Sequence, residues 1–230
     1  MTALEILDVM LQEGFDPDLV TYNTLLSGLC KSGEMEEAIA VLNQMVERDC
    51  LPNMVSYNTL ISTLCASGRI EEAMELARAL TVKGLLPDVC TFNALINGLC
   101  KDGNHKIAME LFEEMKNSGC PPDDVVTYNT LIDGLCKNQR IEDAEEVFDQ
   151  MELHGVSRNV VTYNILIDGL CKDRRVDEAT ELMDQMIVAG MKPDKLTYNS
   201  LLSFYCRGGN IKKAADIVQT MTSMGASRTW

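Results

Sequence analysis

The residues with the most chemical potential in this sequence come in a fixed cadence. An aromatic followed by asparagine recurs six times, as Tyr22-Asn23, Tyr57-Asn58, Phe92-Asn93, Tyr128-Asn129, Tyr163-Asn164 and Tyr198-Asn199. The steps between aromatics are 35, 35, 36, 35 and 35 residues. An asparagine amide offers both a donor and an acceptor, which suits the Watson–Crick edge of a nucleobase. Asn is also a mediocre helix former, so a pure scaffold would tolerate many other residues there. The alternative reading is a hydrogen bond within the helix's own first turn.

A second series is cationic. Lys31, Lys101, Lys137, Lys172 and Arg207 each follow a cysteine of the same cadence, and Ala66 interrupts the row. Cations at that spacing could meet successive phosphates of a strand. They also fit a solvated surface near helix C-termini, where positive charge is favourable.

Other chemistries find little support. Of nine cysteines, six (Cys30, Cys65, Cys100, Cys136, Cys171 and Cys206) follow the repeat, and there are two histidines, His105 and His154. No CxxC pair occurs, so a zinc site is not expected. The thiols read as small buried apolar side chains, in a reducing compartment. With no histidine pair, Gly-rich phosphate loop or metal cluster, neither an enzyme nor a cofactor is expected.

The elements that must position these residues follow from apolar spacing. Tyr163, Leu166, Ile167, Leu170 and Cys171 have the i, i+3, i+4, i+7, i+8 pattern of one helical face. After the turn Asp173-Arg174-Arg175, Val176, Ala179, Leu182, Met183 and Met186 repeat it, and Gly190 and Pro193 end it. Every unit therefore predicts two antiparallel helices. The second carries a small residue at Ala38, Ala73, Ala108, Ala144, Ala179 and Ala214, where close helix approach is expected. One hairpin cannot bury both its apolar faces, so the hairpins must stack into an all-α solenoid. The units are 19–53, 54–88, 89–124, 125–159, 160–194 and 195–230, after a half unit at 1–18. The 36-residue step is an insertion in Cys120-Pro121-Pro122-Asp123-Asp124. Neither end reads as a polar cap, which suggests a fragment of a longer array and self-association through uncovered ends.

The net charge of −15 on 230 residues argues against a generic nucleic-acid binder. Its distribution softens that objection. The first-helix windows hold four acids (Asp102, Asp133, Asp168, Asp173) against six bases (Lys195 with the row above), a net +2, which leaves −17 on the remainder. Stacking would thus make one near-neutral face with a cationic row and one acidic face. Apolar residues make up 46% and aromatics 5%, and no run of eighteen apolar residues predicts a membrane span. The start, MTALEILDVMLQEG, lacks the basic region of a signal peptide and the Arg/Ser-rich character of a transit peptide, so no targeting segment is expected within this sequence.

The aromatic-Asn pair, the Cys-Lys pair in VTYNTLIDGLCK, the second-helix Ala and the terminal G-x-x-P-D closely resemble the pentatricopeptide-repeat family, P class, over essentially the whole chain. That resemblance implies a right-handed superhelical α-solenoid that binds single-stranded RNA in plant organelles, with a plastid favoured over a mitochondrion. It implies that each base is read by the Asn and the last residue of the same repeat. The pairs are Asn23 with Asn53, Asn58 with Asp88, Asn93 with Asp124, Asn129 with Asn159, and Asn164 with Asp194; Asn199 has no proper partner. Asn with Asp favours U in similar proteins, and Asn with Asn favours a pyrimidine. Val20, Val55, Cys90, Val126, Val161 and Leu196 would sandwich the bases, and the five cations would lie near phosphates. Departures from the pattern are Arg158 for the usual Pro, Thr63 and Phe204 for the usual Gly, and Asp123 as an alternative to Asp124. A peptide-binding scaffold is the competing reading; it would more readily vary the reading positions and expose aromatics.

Overall fold

A computed structural model describes residues 3–118 and 125–223. The described residues form thirteen α-helices and no strand. The chain divides into two compact units, 1–121 and 122–230, each considered by itself.

The first unit contains α1 (Ala3–Gln12), α2 (Leu19–Ser32), α3 (Met35–Glu47), α4 (Met54–Ala66), α5 (Ile70–Val82), α6 (Val89–Lys101) and α7 (His105–Asn117). The second contains α8 (Val125–Lys137), α9 (Ile141–Leu153), α10 (Val160–Lys172), α11 (Val176–Val188), α12 (Lys195–Arg207) and α13 (Ile211–Ser223). In each repeat two helices pack as a hairpin, as sequence predicted. The insertion at 120–124 and the terminal Gly225–Trp230 lie outside the described residues.

Local signals set the helix ends. Asp18, Asn53, Asp88, Asn159 and Asp194 stand as N-caps of α2, α4, α6, α10 and α12, each accepting from a backbone N–H at the third helical residue. Such a cap is worth about 1 kcal/mol against alanine. The turn into the second helix needs a left-handed residue. Gly33 supplies it at φ 81°, whereas Gln139 and Arg174 adopt φ 59° and 68° despite their side chains. A β-carbon there costs roughly 1–2 kcal/mol.

The repeating aromatics and alanines are the core. Tyr22, Tyr128, Ala38, Ala73, Ala108, Ala144 and Ala179 are fully buried, as are Met45, Leu80, Met115, Met151 and Met186. Within each unit successive first helices pack directly on one another, α2 on α4 on α6, and α8 on α10 on α12. Within each unit α3 leans on α4, α5 on α6, α9 on α10 and α11 on α12. The first helices can approach because Gly98 and Gly169 face the preceding cysteine. A β-carbon on Gly98 would lie 2.8 Å from the Cys65 Cβ, and one on Gly169 would lie 2.9 Å from the Cys136 Cβ. Where Thr63 or Phe204 stands in place of that glycine, the α2–α4 and α10–α12 pairs pack less extensively.

The expectation that the register cysteines are buried needs one correction. Cys65, Cys100, Cys136 and Cys171 are buried, but Cys30 is half-buried and Cys206 exposed. Cys30 faces the repeat with Thr63, and no later first helix follows Cys206 in the described residues.

Outward, acidic second helices are tied across repeats by arginine. Arg69 reaches Glu36 of the preceding second helix at 2.9 Å and Glu72 of its own at 2.6 Å. Arg175 likewise joins Glu145 at 3.1 Å and Glu178 at 2.5 Å.

Candidate nucleic-acid interface

The N-caps of the first helices have a second task. Each is the last residue of the preceding repeat, which is the partner expected for an Asn on the previous first helix. The structure joins three of these pairs. Asn58 Nδ2 donates to both carboxylate oxygens of Asp88, at 3.0 and 3.1 Å. Asn164 Nδ2 donates to Asp194 Oδ1 at 3.0 Å. Asn23 Nδ2 reaches Asn53 Oδ1 at a longer 3.5 Å. Asn129 makes no hydrogen bond to Asn159 among the described residues, and its Oδ1 is buried without a partner. Asp124 lies outside the described residues, as does the alternative Asp123, so the Asn93 pair has no geometry to report. Asn199 is exposed.

Asp88 shows how such a pair is held. Burial works against its charge, but the Thr91 backbone N–H, the Asn58 amide and the Thr91 hydroxyl outweigh it, and the carboxyl stays below its ordinary range.

The alternative reading, a bond within the helix's own first turn, is not what Asn23, Asn58 and Asn164 make: the cap residue makes that bond, and these three reach the next repeat. Asn164 is buried, and the Oδ1 atoms of Asn93 and Asn129 are buried as well.

A further series was missed in the sequence. Ser56, Thr91, Thr127, Thr162 and Thr197 precede the aromatics and are fully buried. In three repeats the hydroxyl donates to the Asn of the preceding repeat: Ser56 Oγ to Asn23 Oδ1 at 2.6 Å, Thr91 Oγ1 to Asn58 Oδ1 at 2.7 Å, and Thr197 Oγ1 to Asn164 Oδ1 at 2.6 Å. Its signal was available, since a hydroxyl-bearing residue recurs at the repeat period from Thr21 onward.

The expected sandwiching residues are exposed aliphatics. Val20 is 71% exposed, Val55 58%, Val126 52%, Val161 55% and Leu196 62%, and Cys90 is exposed too. Each lies in the first turn of a first helix, beside the Asn row. The cations Lys31, Lys101, Lys137, Lys172 and Arg207 are exposed at the other end of these helices. Two are already engaged: Lys137 pairs with Asp133 at 2.5 Å and Lys172 with Asp168 at 2.6 Å. The cationic row is therefore weaker in the second unit than a count of lysines suggests.

In the second unit these positions converge on one open groove of about 400 Å³ along α8, α10 and α12. Its lining includes Val161 and Leu196, Asn164, Asp194 and Asn199, and Lys137 and Lys172. Apolar walls, an amide–carboxylate pair and cations thus share one cleft. Among the described residues no group of side chains could hold a metal ion, and no helix is long and apolar enough to cross a membrane.

Comparison with known proteins gives a consistent pattern. The PPR repeat family matches residues 17–66, 52–101, 87–125, 123–172 and 158–207, and a single PPR repeat matches 196–225. No curated protein matches the chain. The crystal structure of the pentatricopeptide repeat protein PPR10 from maize is similar at 26% identity and a TM-score of 0.70, over 97% of this chain and 36% of that one. PPR10 in complex with an 18-nt psaJ RNA element is similar at 22% identity and TM-score 0.60, over 96% of this chain and 42% of that one. The PPR domain of Arabidopsis thaliana protein-only RNase P 1 in complex with tRNA is similar in fold, at 15% identity and TM-score 0.64, over 81% of this chain and 97% of that one. This chain thus spans well under half of the PPR10 chains it resembles. Since family matches run from residue 17 to residue 225, the chain belongs to the PPR repeat family.

Proposed function

We propose that this chain binds single-stranded RNA, about one base per repeat, with a preference for pyrimidines. The observation that carries the reading is the groove on α8, α10 and α12, where aliphatic, amide, carboxylate and ammonium groups face one space. A base needs apolar contact on its faces, a donor and acceptor at its edge, and a cation near its phosphate. RNA in the structures of maize PPR10 and of the Arabidopsis PPR domain supports the same reading.

By repeat, Asn58–Asp88, Asn93–Asp124 and Asn164–Asp194 would each favour U, and Asn23–Asn53 and Asn129–Asn159 a pyrimidine. The preferred strand is 5′-Y-U-U-Y-U-3′, with N-terminal repeats toward the 5′ end. Val20, Val55, Cys90, Val126, Val161 and Leu196 hold base faces. Lys31, Lys101, Lys137, Lys172 and Arg207 meet phosphates. The role is RNA processing or stability in a plant organelle, a plastid before a mitochondrion, and it asks for no catalytic group or cofactor. Self-association through exposed apolar residues such as Ile6, Val9 and Val218 accompanies it.

Equilibrium binding to oligo(U), oligo(C), oligo(A) and a duplex, at several salt concentrations, tests the reading. Pyrimidine strands should bind best and the duplex worst. Equal binding of all four, or none, would point instead to a protein-binding scaffold.

A further inference from the structure

We infer that, in the repeats where it reaches the preceding Asn, the buried hydroxyl of the following repeat is a positioning residue for base reading: Thr91 sets the amide of Asn58, and Thr197 that of Asn164. The inference rests on the RNA-reading assignment above.

A carboxylate can only accept hydrogen bonds. The contacts of Asn58 to Asp88 and of Asn164 to Asp194 must therefore be made by Nδ2, at 3.0 Å in both. That leaves Oδ1 pointing the opposite way, where each meets a hydroxyl: Thr91 at 2.7 Å and Thr197 at 2.6 Å. A hydroxyl carries one proton and has two acceptors in reach here. The competing acceptor is the cap carboxylate, at 2.9 Å from Thr91 and 3.2 Å from Thr197. The shorter contact goes to the Asn in both repeats, and also in the first, where Ser56 lies 2.6 Å from Asn23 and 3.2 Å from Asn53. Asp and hydroxyl thus grip the two ends of one amide, so it cannot flip.

The fourth repeat supplies an internal contrast. Thr162 donates to its own cap, Asn159, at 3.1 Å, and Asn129 Oδ1 is left buried and unpartnered. An amide gripped at both ends presents one donor and one acceptor direction to a base, and it discriminates by the partner it would leave unpaired. An amide held at neither end can turn to suit more than one base. Discrimination at one repeat therefore depends on a residue 33 positions later, in a repeat that reads a different base.

The test uses the full chain with Thr91→Val, Thr91→Ser and Thr197→Val. Affinities are measured for 5′-CUUCU-3′ and for strands with C at the second or the fifth position, and melting is followed by circular dichroism. Thr91→Val should lower the preference for U over C at the second position by roughly two- to tenfold, while the fifth position is unchanged. Thr91→Ser should keep the preference. Thr197→Val should show the reverse pattern, which keeps the inference testable if one valine variant does not fold. Undiminished discrimination at the second position in folded Thr91→Val would overturn this inference and leave the RNA reading intact. Loss at both positions together would mark a general structural effect and overturn it too. Absence of discrimination in the unaltered chain would overturn both.

Discussion

Gly169 faces Cys136 so closely that a β-carbon on the glycine would lie 2.5 Å from the thiol sulfur. Gly28, at the same place in the first repeat, has nothing within 4 Å of such an atom. Gly169→Ala should therefore destabilise the fold by about 1–3 kcal/mol through overpacking. Gly28→Ala should stabilise it by about 0.5–1 kcal/mol, because it removes a glycine from a helix interior. Urea unfolding of both variants checks this; equal effects would mean that the first helices do not pack through this contact.

The Asn row should behave unevenly. Asn164→Ala removes a buried amide that makes two hydrogen bonds, one from Thr197 and one to Asp194, and should cost about 1–3 kcal/mol. Asn129→Ala removes an oxygen that has no partner and should be nearly neutral. Thermal melts of the two variants would expose an error if their order were reversed.

Much of this fold was legible because its repeat is nearly constant. Tyr22, Ala38 and Met45 recur with their equivalents at one spacing, and each recurrence fixes the same buried face. The twofold task of Asp88 was half legible: its role in a pair came from resemblance, while its capping role needed backbone geometry. The grip of Thr91 on Asn58 was not seen, because residues 33 apart in different hairpins meet only once the hairpins stack. Arg158, conspicuous as a replacement for proline, shows the same limit. Its guanidinium lies 3.8 Å from the Phe148 ring centroid and pairs with Asp149 and Glu152 at 3.1 and 3.0 Å, partners that sequence offset alone does not select.

The lysine row should contribute unequally to RNA binding. Asp133 and Asp168 stand four residues before Lys137 and Lys172, whereas Asn97 stands before Lys101. Asp133→Asn should therefore raise affinity and steepen the salt dependence, by a slope of up to about 0.7 for each cation released to a phosphate. Lys101→Ala should weaken all sequences alike and flatten it. A salt titration in which Asp133→Asn binds less tightly would show that the acid aids the lysine.

Burial separates the cysteines chemically. It raises the thiols of Cys65, Cys136 and Cys171 from an ordinary 9.0 to about 11, 12 and 12. In the unfolded chain they ionise first, so this contribution is intact below pH 9.0 and declines as pH climbs toward about 11–12. Near about pH 8, alkylation should reach exposed Cys90 and Cys206 well before these three. Bound RNA should protect Cys90. Equal labelling of all sites under native conditions would contradict the packing described.

The most direct test of the central claim is photo-crosslinking of a 4-thiouridine strand to the full chain, with the adducts mapped by peptide mass spectrometry. Adducts should fall in the first turns of the first helices, at Val161–Asn164 on α10 and Leu196–Asn199 on α12 for the groove of the second unit, and unlabelled oligo(U) should compete them away. Adducts confined to the acidic second helices, α9 and α11, would contradict it.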